Sequence, residues 1–134
     1  MKIVIDTNVL VSGIFWGGVP SAVLDLWAQG SLDLAASPPI LAEYTRVLEK
    51  YGAKLSNSAL ASQWVYFIVQ HALIVRTEKR YHVCRDSHDD MYLDCAVEGK
   101  AVFIVSGDKD LLVLTQFMGV KIIAPSEFLK RFRP

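Results

Sequence analysis

The sequence predicts an α/β fold, in which a mostly parallel sheet of five strands is flanked by helices on both faces. Short runs rich in β-branched residues alternate with segments of helical apolar spacing along the whole chain, a pattern typical of parallel sheets with helical crossovers. The chain has 134 residues, of which 52% are apolar and 21% are charged, as in a globular domain. We therefore expect one domain over residues 1–134.

Two of the five predicted strands end close to an aspartate. Asp6 directly follows the first strand, and Asp108 follows the fourth after Ser106 and Gly107. Apolar runs that end in a polar residue are typical of buried strands in parallel sheets. The five predicted strands cover residues 2–5, 32–36, 72–75, 102–105 and 120–124.

The segments between these strands carry helical spacing. Ser21 is predicted to cap the second helix, and Ser37, followed by two prolines, to cap the third, which should stop at Gly52. Ser87 to Asp90 are predicted to form a capping box that opens the fifth helix. The predicted helices cover residues 7–14, 21–29, 37–52, 56–71 and 87–99, with two short helices through residues 111–112 and from residue 125.

The overall charge argues against a general phosphate-binding surface. The chain has 14 basic and 14 acidic residues, so any contact with nucleic acid must be local or mediated by metal ions. The two cysteines, Cys84 and Cys95, form no metal-ligand or disulfide pattern. With no signal-peptide pattern and no apolar run of membrane-spanning length, we expect a cytoplasmic location.

Acidic residues cluster near one edge of the predicted sheet. Asp6 and Asp108 follow strands, Glu43 lies on the helix after the second strand, and Asp90 and Asp94 lie one helical turn apart. Taken singly, each is explained by helix capping or by solvation. Together they form a set of oxygen ligands that suits Mg²⁺ or Mn²⁺, and two such ions can cleave a phosphodiester.

Other residues offer less. The sequence has no nucleophile elbow and no glycine-rich phosphate loop, and we place the three histidines outside the site. Trp16 and Tyr92 could stack on bases, although aromatic residues beside apolar runs more often pack in a core or interface. Three basic clusters, each more typical of a solvated face, are Arg46 with Lys50 and Lys54, Lys79 with Arg80 and Arg85, and Lys130 with Arg131 and Arg133.

Four segments stand out in order along the chain: IVIDTNVL with the following SG (3–10 and 12–13), ILAEY (40–44), DSHDDMYLDCA (86–96) and VSGDKDLL (105–112). They resemble the motifs of PIN-domain nucleases, and the closest subgroup is similar to VapC-type toxins of toxin–antitoxin pairs. Together the four segments span residues 3–112 in the order of the family's motifs. In the third segment, Ser87 and His88 stand where a proline and a lysine or polar residue are usual.

The resemblance implies a set of functional residues and partners. Asp6, Glu43, Asp90 and Asp108 match the acidic quartet that holds one or two Mg²⁺ or Mn²⁺ ions. The family further implies cleavage of RNA to a 5′ phosphate and a 3′ hydroxyl, a homodimer or higher homo-oligomer, and a small antitoxin protein. The residues that match supporting positions are Thr7, Asn8, Ser106, Asp94 and Asp110.

Two alternatives remain open from the sequence. Asp6-Thr7-Asn8 resembles the start of the haloacid-dehalogenase phosphatase motif, but that motif needs a second aspartate where Asn8 stands. The other alternative is a non-catalytic PIN module that binds RNA or protein without cleaving it.

Overall fold

A computed structural model describes residues 1–84 and 86–132. Arg85 and Arg133, which belong to two of the predicted basic clusters, lie outside the described residues. The sheet has six strands in the order β3-β2-β1-β4-β6-β5. The strands are β1 (Lys2–Ile5), β2 (Asp33–Ala36), β3 (Leu73–Ile74), β4 (Phe103–Val105), β5 (Gln116–Phe117) and β6 (Val120–Ile123).

Helices flank this sheet, as predicted. Helix α5 packs against the central strands β1, β2 and β4, while α1 packs against α2 and α3, and α3 against α4. The helices are α1 (Thr7–Phe15), α2 (Gly18–Ala28), α3 (Pro38–Lys54), α4 (Ser58–His71), α5 (Asp90–Glu98), α6 (Lys109–Leu112) and α7 (Pro125–Arg131). A single 3-10 turn, Ser87–Asp89, precedes α5.

The parallel core of the sheet explains why its strands are apolar on both faces. β1 pairs in parallel with β2 and β4, and β4 pairs in parallel with β6. Ile3, Val4 and Ile5 of the central strand β1 are fully buried, since helices cover both sides of a strand in such a sheet. The carboxyl ends of β1 and β4 therefore lie side by side.

The prediction of five strands missed β5. This strand pairs antiparallel with β6, and the two are joined by Met118 and Gly119, both with positive φ. Such two-residue hairpins are usually signalled by Asn-Gly or Asp-Gly. Because Met118 occupies the first position of this loop, the sequence does not indicate a hairpin here.

Three predicted helix boundaries are wrong. Helix α2 begins at Gly18, because Gly17 and Gly18 adopt positive φ and turn the chain there, so Ser21 lies inside the helix. Helix α3 continues beyond Gly52 to Lys54. Before α5, the carboxylate of Asp86 accepts a hydrogen bond from His88 N, so Asp86 caps the 3-10 turn in place of the predicted capping box.

Among the described residues, no single helix is long and apolar enough to cross a membrane. Helices α1 and α2 meet that test of length and composition only when taken together, and they are bent by 97° at their junction.

Gly52 lies where α3 and α4 approach closely. A Cβ atom at this position would lie 2.8 Å from Ala61 Cβ. Helix propensity alone favours alanine over glycine by about 1 kcal/mol, but the clash acts in the opposite direction. We expect Gly52→Ala to lower the free energy of unfolding by about 1–3 kcal/mol in urea denaturation. Ala53→Gly, at the exposed next position of α3, controls for propensity, and a stabilised Gly52→Ala variant would contradict the packing described here.

Candidate metal and phosphodiester site

Asp6 joins the end of β1, the start of α1 and the loop after β4. Its Oδ1 accepts a hydrogen bond from Val9 N at 2.8 Å and so caps α1. Its Oδ2 accepts hydrogen bonds from the Ser106 hydroxyl and, at 3.3 Å, from Gly107 N. Burial raises the pKa of Asp6 and outweighs these hydrogen bonds, which favour the charged form, while the nearby Asp108 raises it further.

Asp108 lies beside Asp6 and shares Ser106 with it. The backbone N–H of Asp108 donates to Ser106 Oγ at 2.9 Å, so this hydroxyl accepts from Asp108 and donates to Asp6. Asp108 also caps α6, because its Oδ1 accepts from Asp110 N at 2.8 Å. The structure thus brings Asp6, Ser106 and Asp108 together at one edge of the sheet, as expected from the strand order.

Glu43 reaches the same cavity from the second turn of α3. The neighbouring Tyr44 is buried, and its hydroxyl donates to the carbonyl of Ile5, which ties α3 to the end of β1. Glu43 Oε1 pairs with Arg46 Nη2 at 2.5 Å, and its Oε2 lies 3.4 Å from His88 Nε2. Glu43 is therefore held between the cavity and a basic group on its outer side.

Thr7 and Asn8 occupy the first turn of α1 at the cavity. Thr7 Oγ1 lies 2.6 Å from the Tyr92 hydroxyl, which also accepts a hydrogen bond from Thr7 N. These contacts hold α5 against α1. Asn8 is exposed and lines the cavity. Tyr92 is buried, so its ring is not free to stack on a base.

Asp90, expected in the acidic quartet, lies outside this cavity. Its Oδ1 accepts hydrogen bonds from Val83 N at 3.1 Å and Cys84 N at 2.8 Å, so it anchors the loop before the 3-10 turn. Burial favours the neutral form of Asp90, but these two N–H groups outweigh it and lower its pKa. Asp94 is held in the same way, since its Oδ1 accepts from Tyr81 N at 2.8 Å.

Asp89 lines the acidic cavity in place of Asp90. It ends the 3-10 turn, whereas Asp90 begins α5, and the helical rotation between the two residues points their carboxylates in different directions. Only 7% of Asp89 is exposed, and its Oδ2 has no hydrogen-bond partner. Burial, followed by repulsion from Asp108 and Asp86, raises the pKa of Asp89 to about 6.

The cavity is small, open and strongly acidic. It has a volume of about 200 Å³. Asp86 and His88 line it as well, although both were missed from the sequence; the run of acids from Asp86 to Asp90 was the available signal, but it does not show which members point inward. The cavity is lined by Asp6, Thr7, Asn8, Glu43, Asp86, His88, Asp89, Tyr92 and Asp108.

These residues fit a divalent cation. Oxygen atoms of Asp89, Asp108 and Asp110 lie within 4.8 Å of one another, close enough to share one ion. All three are carboxylates, the donors preferred by Mg²⁺ and Mn²⁺. The buried Asp89 Oδ2, which lacks a partner, is the kind of atom that a bound cation would satisfy. Asp110, a supporting residue in the sequence prediction, thus lies with the cluster.

Comparison with known proteins identifies the family. Residues 2–110 match the family model of the PIN domain. The chain belongs to the PIN-domain family. An uncharacterized protein of Methanocaldococcus jannaschii is 30% identical over an alignment that covers 98% of this chain and 92% of that protein. Membership of this family, together with Asn8 in place of a second aspartate, leaves the phosphatase alternative without support.

Two solved structures share the PIN fold at low sequence identity. VapBC2 from Rickettsia felis, crystallised with a DNA fragment from its promoter, has a chain that is 17% identical, with a TM-score of 0.61, covering 91% of this chain and 97% of that one. A protein from Pyrobaculum aerophilum is 18% identical, with a TM-score of 0.63, covering 97% of this chain and 88% of that one. These similarities support the fold.

The opposite environments of Asp89 and Asp90 predict opposite effects on stability without metal. The raised pKa of Asp89 means that its ionisation opposes folding, so this cost is absent below about pH 4 and complete above about pH 6. In EDTA at pH 7.5, Asp89→Asn should therefore raise the urea midpoint. Asp90→Asn should lower it, because the Val83 and Cys84 N–H groups lose their charged acceptor.

The pH dependence separates the two residues further. Between pH 4.5 and 7, the loss of stability with rising pH should be smaller in Asp89→Asn than in the wild type, with the rest due to Asp6 and Asp94, whose pKa values burial also raises. Urea unfolding at each pH measures this difference. Equal midpoints for the two variants at pH 7.5 would show that the described environments are wrong.

Proposed function

We propose that the chain is a metal-dependent ribonuclease that hydrolyses RNA phosphodiester bonds. The observation that carries this proposal is the convergence of Asp6, Glu43, Asp89 and Asp108 on one cavity at the carboxyl edge of the sheet. PIN-family membership supports nuclease chemistry at such a site. We assign Asp89 the acidic position for which the sequence had suggested Asp90.

Some residues at the cavity would bind the metal ion, and another would orient the residues that bind it. Asp89, Asp108 and Asp110 would hold Mg²⁺ or Mn²⁺, with Asp6 and Glu43 on the other walls. A bound divalent ion supplies positive charge for the scissile phosphate and activates water for attack. Ser106 donates to the Asp6 carboxylate and accepts from the backbone N–H of Asp108, so it acts as a positioning residue.

Charge explains why a metal is needed at this site. The cavity has five carboxylate residues, Asp6, Glu43, Asp86, Asp89 and Asp108, which would repel an RNA phosphate in the absence of a cation. Among the described residues, the cations beside these carboxylates are Arg46 and, when protonated, His88, and both contact Glu43. Substrate and metal are therefore expected to bind together.

Nuclease activity should depend on Asp89 and on Mn²⁺ or Mg²⁺. In a Mn²⁺ assay on mixed single-stranded RNA, Asp89→Asn should reduce cleavage by at least about 100-fold, because it removes a metal ligand. Asp33→Asn changes an exposed aspartate at the start of β2, the opposite edge of the sheet, and should retain wild-type activity. Mapping the cut sites gives the sequence preference.

The outcomes of this assay distinguish the alternatives. Full activity of Asp89→Asn would show that the site is assigned incorrectly. A wild-type chain that binds RNA with Mn²⁺ but cleaves none would be the non-catalytic module. If Asp90→Asn, assayed where it is folded, lost activity while Asp89→Asn kept it, the acidic position suggested by the sequence would be the correct one.

We further propose that this nuclease is the toxin of a toxin–antitoxin pair, forms a homodimer or higher homo-oligomer, and acts in the cytoplasm. Its fold is shared with a chain of the Rickettsia felis VapBC2 complex. Expression of the wild-type chain in a bacterial host should arrest growth, whereas Asp89→Asn should not, because the arrest would require RNA cleavage. Co-expression of a small protein from the adjacent reading frame should relieve the arrest, and growth curves measure both effects. Arrest by Asp89→Asn equal to that by the wild type would contradict a toxic ribonuclease.

A further inference from the structure

A row of basic side chains runs along α3 away from the acidic cavity. Arg46 lies one turn beyond Glu43, and Lys50 and Lys54 follow at intervals of four residues. Residues at these spacings share one face of a helix. We call Arg46, Lys50 and Lys54 the basic stripe.

The basic stripe is exposed and has one acidic residue, Glu49, at its border. The Arg46 side chain is 64% exposed, and both lysines are exposed. Glu49, three residues after Arg46, lies on the side of the stripe toward α4, where it lines a groove with Tyr66. The stripe therefore presents a local positive surface on a chain with no net charge.

An exposed aromatic residue lies beside this stripe. Trp16, at the end of α1, is 59% exposed, and its ring lies 5.6 Å from the ring of Tyr51 on α3. The Nζ atoms of Lys50 and Lys54 each lie 5.8 Å from the centre of the same Tyr51 ring. Trp16 and the two lysines thus form one continuous surface around Tyr51.

This surface starts at the cavity and has the length of a short nucleotide segment. Helix α1 begins beside the cavity at Thr7 and packs on α3, so Trp16 lies at its far end, next to the distal part of the stripe. Glu43 and Lys54 are separated by about 16 Å along the helix axis. At a stacked rise of about 3.4 Å per nucleotide, this distance spans roughly five nucleotides.

We propose that the basic stripe and Trp16 bind single-stranded RNA that leaves the cavity along α3. Lysine and arginine contact phosphates, and an aromatic ring stacks on an unpaired base without regard to its identity. A base in a duplex is already stacked and cannot reach Trp16 in this way. This inference rests on the proposed ribonuclease function and adds the path and the strandedness of the substrate.

The test compares two substrate lengths in the active wild-type chain and its variants. Steady-state cleavage of a trinucleotide and of a 12-nucleotide single-stranded RNA is measured in Mn²⁺ over a range of salt concentrations. The variants are Lys50→Gln with Lys54→Gln, Trp16→Ala, and Trp16→Phe. The control, Lys121→Gln, changes an exposed lysine of β6 outside this surface.

For the 12-nucleotide RNA, the double lysine variant should raise KM by about tenfold and leave kcat within about twofold. The slope of log KM against log salt should fall by about 1.4, which is about 0.7 for each lost phosphate contact. Trp16→Ala should also raise KM by about tenfold, and Trp16→Phe should restore most of the loss by keeping a stacking face. Trinucleotide cleavage and Lys121→Gln should be unaffected.

Several outcomes would overturn the proposal. If the variants cleaved the 12-nucleotide RNA with wild-type KM, the path along α3 would be wrong while the ribonuclease function stood. If Trp16→Ala changed only the oligomeric state measured by light scattering, this surface would be an interface between copies of the chain. If the wild-type chain neither bound nor cleaved RNA, the proposed function would fail, and this inference with it.

Discussion

The carboxylate of Asp6 connects the start of α1 with the loop after β4, 100 residues further along the chain. It caps α1 through Val9 N, and it accepts hydrogen bonds from Ser106 and Gly107 after β4. The parallel pairing of β1 with β4 places these groups within reach, so the sheet register and the site depend on each other. An anion buried among apolar strands is costly, and the raised pKa of Asp6 reflects that cost. The hydrogen bonds offset part of the cost of burying the charged carboxylate, and a cation in the cavity would offset more.

The sequence predicts which residues meet at the carboxyl edge of the sheet. It does not predict the direction in which each of two adjacent side chains points. Asp6, Ser106 and Asp108 could be placed together because parallel strands share their carboxyl edge. The choice between Asp89 and Asp90 could not be made in this way. Two adjacent aspartates at the junction of a 3-10 turn and an α-helix differ only in the rotation of the backbone. Which one faces the cavity depends on how the preceding loop is anchored.

The errors in the fold have a similar origin. The extension of α3 through Gly52 is explained by α4, because a residue with no Cβ permits the close approach to Ala61. Without knowledge of that tertiary contact, a glycine near the end of a periodic segment indicates the end of a helix. The antiparallel strand β5 depends on positive φ at Met118, which local preference disfavours. At Gly52, packing between two helices overrides the local signal, and at Met118 the hairpin itself requires a backbone conformation that the residue disfavours.

The distribution of charge explains how a chain with no net charge could bind a polyanion such as RNA. Five of the 14 acidic residues line one cavity, whereas Arg46, Lys50 and Lys54 are arranged along the outside of α3. Glu43 and Arg46 mark the boundary, where the acidic wall and the first basic residue pair directly. A phosphate chain could then be bound in two ways. Metal ions would bind it at the cavity, and basic side chains would bind it beyond the cavity. A chain with zero net charge therefore has a negative cavity and a positive surface side by side. Composition gives only the sum of the charges. Their adjacency follows from α3, which carries both Glu43 and the basic residues.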